Sequence, residues 1–312
     1  MNETDVIIVD FPNDVYDEIV EKQIKYAIIS LPFTIDRMYQ IERYGIDVGN
    51  LNRIKNIFKG KIAENLFSKF TELNKINIDF ESCSTPFYEV DKRDFLHKNI
   101  EYDLKNNFIF HNGNEYDNYT YLPAMIANRF QGDQWSSRLN RHKGDKVAHL
   151  FSFLRSATLT DDKRGDDFVE IKLSKKQLIY LNELYNYYGG MPQNKQPFSE
   201  EKFWSRMAMY GGLNFFKLND RPKLIICGIA NHENWNSFRD VGPLTLNNYQ
   251  NHPVKNWYKK VGRKNRIKFL NGTIWGTITN RTCPVQNLIP FATIFNELDV
   301  KNLICARFKK RA

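Results

Sequence analysis

The chain has 312 residues, 42% of them hydrophobic, including 23 Phe and 16 Tyr, and it carries a formal net charge of +9. That length and apolar content suffice for a packed core and exclude global disorder, while the positive balance favours an anionic partner such as nucleic acid. No apolar run reaches the roughly 18 residues that span a bilayer, and the acidic start, MNETDVIIVDFPNDVYDEI, lacks the basic region of a secretory signal, so a cytoplasmic protein with no membrane partner is expected.

In chain order, residues 14–45 read mostly as helical, with Pro-Asn-Asp as a start signal and Gly45 near the end. Residues 50–75 give the clearest helix. Leu51, Ile54, Phe58, Ile62, Leu66, Phe70 and Leu73 recur at steps of three and four and make one apolar stripe. Strand signals follow at 86–91, 93–97 and 100–110, and again at 146–155, 168–173 and 223–230, with helices at 174–188 and 199–210. Residues 255–281 read as a basic, turn-rich segment with two strands. The stretch NRTCPVQNLIP reads as structural turns, and the terminal RFKKRA as a frayed basic tail that adds non-specific attraction. The order predicts an α/β fold in one compact unit, a mixed central β-sheet flanked by helices.

Several chemistries find no support. Cys83, Cys227, Cys283 and Cys305 are too far apart for a zinc or iron–sulfur site, so reduced, mostly buried thiols are expected. His97, His111, His142, His149, His232 and His252 form no close metal-binding pair. A zinc enzyme and a His-Cys nucleophilic enzyme are both disfavoured.

The informative stretch is DKRDFLHKNIEYDLKNN, residues 91–107. Side chains alternate along a strand, so Glu101, Asp103 and Lys105 share one face, and Tyr102, Leu104 and Asn106 the other. Buried charges need partners or a metal. Two carboxylates, Asp94 and Asp103, can hold a hard divalent cation such as Mg²⁺ through oxygen. A neighbouring lysine can orient water or balance charge growing on a phosphate. These parts suit metal-assisted hydrolysis of a phosphodiester.

The pattern of Asp94, then Asp103-Leu104-Lys105 nine residues on, with apolar residues around both, resembles the PD-(D/E)xK nuclease superfamily, and type II restriction endonucleases within it. Members often place a glutamate on an upstream helix, and GKIAENLF supplies Glu64 thirty residues before Asp94. The departure is Arg93, where the name has Pro. The resemblance implies a restriction-endonuclease-like core with elaborations. It also implies catalytic residues Glu64, Asp94, Asp103 and Lys105, with metal held by Asp94 and Asp103 and the Leu104 carbonyl as a further ligand. Lys105 would position the attacking water. Asp91 rivals Asp94 as the first aspartate, and Glu101 is a further acidic candidate. Gly60, one turn before Glu64, is expected to let the helix approach the sheet closely.

On this reading residues 1–312 are a single nuclease domain, with a catalytic core at about 50–230 and a basic DNA-contacting elaboration at about 250–285. Residues 255–281 carry eight basic residues and no acidic one, with Trp257, Tyr258 and Trp275 among them. Lys259, Lys260, Arg263, Lys264 and Arg266 are the phosphate-contact candidates there. Gln134, Arg138 and Arg141, in the loop NRFQGDQWSSRLNRHKGDK, are candidates for base contacts. The expected activity is Mg²⁺-dependent cleavage of double-stranded DNA by a sequence-specific type II restriction enzyme, and the resemblance implies a homodimer on a symmetric site. The alternatives are a structure- or modification-directed repair or defence nuclease, and a non-catalytic nucleic-acid-binding protein in which Asp94 and Lys105 merely pair.

Overall fold

The computed structural model describes residues 1–34, 41–42, 44–89, 93–110, 119–127, 147–156, 168–188, 196–241, 268–269, 280–295 and 302–308. Strand β1 (Ile7–Val9) leads into helix α1 (Asn13–Ser30), and helix α2 spans Ile46–Leu73. A hairpin of β2 (Phe95–His97) and β3 (Ile100–Phe110) follows, then β4 (Pro123–Ala127), β5 (Val147–Ser156) and β6 (Val169–Ile171). Next come α3 (Lys175–Tyr188), α4 (Glu200–Gly211), β7 (Phe216–Leu218), β8 (Lys223–Ala230) and β9 (Arg239–Val241). The last elements are β10 (Lys268–Phe269), β11 (Asn280–Pro284), β12 (Ile289–Pro290), the single turn α5 (Phe291–Ile294) and β13 (Ala306–Phe308).

The main sheet is mixed and curled, in the order β10-β3-β5-β8-β1-β13, with β2 also on β3 and β12 also on β8. Strands β3 and β5 run parallel, and the other pairs are antiparallel. A smaller sheet, β4-β11-β9, is separate, and β6 pairs with β7. Helices flank the main sheet, as the order of elements leads one to expect.

Two apolar clusters explain the strand sequences. Tyr102, Leu104 and Phe108 of β3, with Leu150 and Leu154 of β5, join the cluster containing α1 and α2. Ile109, Phe151 and Phe153 join the cluster on the other face, which includes Ala124, Ile126 and Cys283 of the small sheet. Both faces of β5 and β8 are therefore covered, which is why they read as nearly continuous apolar runs. The α2 stripe is buried as its spacing predicts, with Ile54, Phe58, Ile62 and Phe70 fully enclosed. The helix ends where Asn74 turns back on it: its Nδ2 donates to the Phe70 carbonyl at 2.8 Å, and Lys75 takes a left-handed φ of 53°.

Four expectations are corrected. The helical reading of 14–45 holds only in part: α1 stops at Ser30, because Pro32 has no N–H to continue the ladder and a 3-10 turn, Leu31–Phe33, replaces it, while residues 41, 42 and 44 are again helical. The strand expected at 86–91 is absent among the described residues. There the Glu89 N–H closes a turn onto the Pro86 carbonyl, and the successive rings Phe87 and Tyr88 both pack on Phe33 instead of alternating. The tail expected at 307–312 begins as strand: Arg307 and Phe308 pair with Ile8 and Ile7. Gly60 is not at a close approach, since a Cβ there would meet nothing within 4 Å. No described helix is long and apolar enough to cross a membrane.

Candidate active site

The β2–β3 hairpin turns through Lys98 and Asn99, both left-handed at φ 48° and 63°, the two-residue geometry whose twist suits paired strands. Phe95 stacks on Tyr102 at 4.7 Å with rings 6° from parallel, locking the register in which Phe95 faces Tyr102. One residue before that lock, the Asp94 N–H donates to the Tyr102 carbonyl at 2.9 Å. The Asp94 side chain then continues the edge in place of backbone: the Leu104 N–H donates to Asp94 Oδ2 at 2.5 Å. Strand pairing thus sets Asp94 at the sheet edge beside Asp103.

Asp103 and Lys105 lie on the β3 face away from α2. Lys105 Nζ is 2.6 Å from Asp103 Oδ2. The contact is a close ion pair rather than an aligned hydrogen bond, because Oδ2 gains no hydrogen bond of good geometry. His149 stands directly opposite Asp103 in the parallel β3–β5 register, fully buried, with Nδ1 3.6 Å from the same oxygen. Glu64 comes from α2, on the other side of the sheet, and holds Lys61 Nζ at 2.6 Å through Oε2. Glu64 and Asp103 each act on the Asp94 carboxyl and Lys105 pairs with Asp103, so the four residues, drawn from three stretches of chain, are linked through Asp94.

Electrostatics record this convergence. Burial raises the Asp94 carboxyl well above the usual carboxylate range, and the nearby charges of Glu64 and Asp103 raise it further; the Leu104 N–H and Lys61 only partly oppose this. Asp94 keeps some exposed surface, so the desolvation acts on the carboxyl more than on the whole residue. Burial also pushes Asp103 upward, but Lys105 and His149 outweigh it and hold that carboxyl below the usual range. Two adjacent aspartates are therefore driven apart by their surroundings, a pattern common at functional sites.

The carboxylates Glu64, Asp94 and Asp103 are hard oxygen donors, and their mutual repulsion in a desolvated setting is what a bound cation relieves. That donor chemistry fits Mg²⁺. Among the described residues no group of three or more His, Cys, Asp or Glu is assembled into a ready-made cage. A Mg²⁺ ion here would be held by Asp94 and Asp103, with Glu64 in support.

Other candidates fall elsewhere. Glu101 faces Arg93 in a half-buried ion pair, which turns it from the role of further acidic ligand. Asp91 lies outside the described residues, as do Gln134, Arg138 and Arg141, and Lys259, Lys260, Arg263, Lys264 and Arg266. Among the described residues that flank these segments, Ala127 and Val241 both pair with Asn280, and Val147 pairs with Glu101, two positions before Asp103. Sequence reasoning missed His149 and Lys61. His149 was signalled by a lone ionisable residue inside the apolar run KVAHLFSFL, and Lys61 by its place one turn before Glu64. No family model, curated protein or solved structure matches this chain.

Proposed function

We propose that this protein is a Mg²⁺-dependent endonuclease that hydrolyses phosphodiester bonds of double-stranded DNA, with a restriction-endonuclease-like core and the properties of a type II restriction enzyme. The observation that carries the reading is the Asp103–Lys105 pair beside Asp94, whose carboxyl is raised by burial and by the charges of Glu64 and Asp103. Mg²⁺ in such a site supplies Lewis-acid polarisation of the phosphodiester and activation of water. Asp94, fixed by the Leu104 N–H, would be one of the ligands of the ion. Asp103 stays ionised beside Lys105 and His149 and is ready to bind. Lys105 orients the attacking water and balances the charge that grows on the phosphate. The basic segments at 128–146 and 255–281 supply phosphate contacts. A cytoplasmic location agrees with four free cysteines, and a homodimer on a symmetric site belongs to the same proposal.

A second reading draws on the short Lys105–Asp103 pair, which is also the geometry of a structural ion pair in a non-catalytic DNA-binding protein. Incubation of plasmid and phage DNA separates the two. The nuclease reading expects discrete fragments with Mg²⁺, none with EDTA, and none from Asp103→Ala or Lys105→Ala. Intact DNA across many substrates, with salt-sensitive binding that ignores divalent ions, would leave the binding-protein reading standing. Nicks set by DNA structure rather than sequence-defined bands would move the assignment to a repair or defence nuclease.

A further inference from the structure

Two lysine–carboxylate pairs bracket Asp94. Lys105 is 2.6 Å from Asp103 on one side, and Lys61 is 2.6 Å from Glu64 on the other. Lys61 is no ordinary surface lysine. Its side chain is only 16% exposed, its Nζ lies 5.5 Å from the centre of the Tyr26 ring on α1, and its charge is felt at Asp94. Its partner Glu64 sits only one turn away on the same helix, so the pair is local and can be exchanged without moving the backbone.

The charges make that exchange specific. Two of the three carboxylates around Asp94 already hold an ammonium group each. When these carboxylates serve a divalent ion they are shared with it, and the site gains two positive charges. Crowded positive charge in a partly desolvated site is costly, and a phosphodiester offers one negative charge per phosphate. We propose that Lys61 is a second phosphate contact of this site, held by Glu64 in the metal-free protein and released to a backbone phosphate of DNA when a divalent ion occupies the carboxylates. The inference rests on the nuclease reading and adds to it a coupling between metal binding and anion binding.

The test compares full-length wild type, Lys61→Ala and Lys61→Arg in two measurements without turnover. Free Mn²⁺ is followed by electron paramagnetic resonance, and a labelled DNA duplex by fluorescence anisotropy with either Ca²⁺ or EDTA. Lys61→Ala should bind Mn²⁺ as tightly as wild type or more tightly, because Glu64 is released. The gain in DNA affinity that Ca²⁺ brings should fall about tenfold, the worth of one charge-assisted hydrogen bond, and Lys61→Arg should keep most of that gain. Weaker Mn²⁺ binding by Lys61→Ala would mean that Lys61 only props Glu64 in place, and would overturn the inference. A Ca²⁺-dependent gain that is unchanged in Lys61→Ala, or missing in wild type, overturns it too. If folded wild type takes up no Mn²⁺ at all, the nuclease reading fails and this inference goes with it. Normal Mn²⁺ uptake with an unchanged DNA gain sinks the inference alone.

Discussion

Replacing Asp94 by Asn should make the metal-free protein more stable while abolishing its proposed activity. The Asn side-chain oxygen can still accept the Leu104 N–H that Asp94 Oδ2 accepts at 2.5 Å, so the edge geometry survives. What disappears is a carboxyl whose folded-state pKa is raised by burial, Glu64 and Asp103. A group of this kind contributes most to stability below its unfolded pKa of about 3.9, where both states hold the proton. That contribution is lost as pH rises towards the raised folded value, at about 1.4 kcal/mol per pH unit. The neutral Asn escapes this loss, and each kcal/mol it retains at neutral pH raises Tm by about 2–4 °C. Thermal melts in EDTA between about pH 4 and pH 8 should show a gap that opens with pH and then levels off. Excess Mg²⁺ should stabilise wild type alone and narrow the gap. A variant no more stable than wild type at every pH, or a gap that does not change with pH, would refute the picture of Asp94 as a carboxylate hemmed in by like charge.

Lys105→Met removes the cation 2.6 Å from Asp103 and should lower stability by about 1–3 kcal/mol at neutral pH. Asp103 is held below its usual pKa, so its contribution is present above about pH 4 and lost as pH falls; acid titration should show the two proteins converging at low pH. Gly60→Ala fills open space in a helix interior and should raise the urea midpoint by the equivalent of about 0.5–1 kcal/mol; destabilisation would mean the helix approaches a neighbour there after all. Phe67 packs against Phe70, Phe80, Phe95 and Phe291 at 5.3–6.5 Å, so Phe67→Ala should cost about 3–5 kcal/mol in the same denaturation assay.

The parts legible in the sequence were those that carry their own period or composition. The α2 stripe and the continuous apolar runs of β5 and β8 each read correctly from local pattern, since burial on one helical stripe or on two sheet faces leaves a signature within a few residues. The β3 alternation placed Asp103 and Lys105 together, and they are found as a pair. Strands β1 and β13, of three residues each, are too short for a period, and their pairing spans almost the whole chain. Phe87 and Tyr88 read as strand because aromatics favour strands, but the tertiary pull of Phe33 decides their place. His149 faces Asp103 only through the parallel β3–β5 register, which no local pattern specifies. Lys61 stood one turn from Glu64 in plain view, yet its nearness to Asp94 depends on how α2 packs across the sheet.

The central claim is that Asp94 and Asp103 hold a divalent ion at the start of the β2–β3 hairpin. A crystal soaked with Mn²⁺ and measured for anomalous scattering addresses it directly. One strong peak is expected within about 2.0–2.6 Å of carboxylate oxygens from both Asp94 and Asp103, with Lys61 no longer on Glu64. A well-ordered site with no peak there, and Lys105 still paired to Asp103, would contradict the claim.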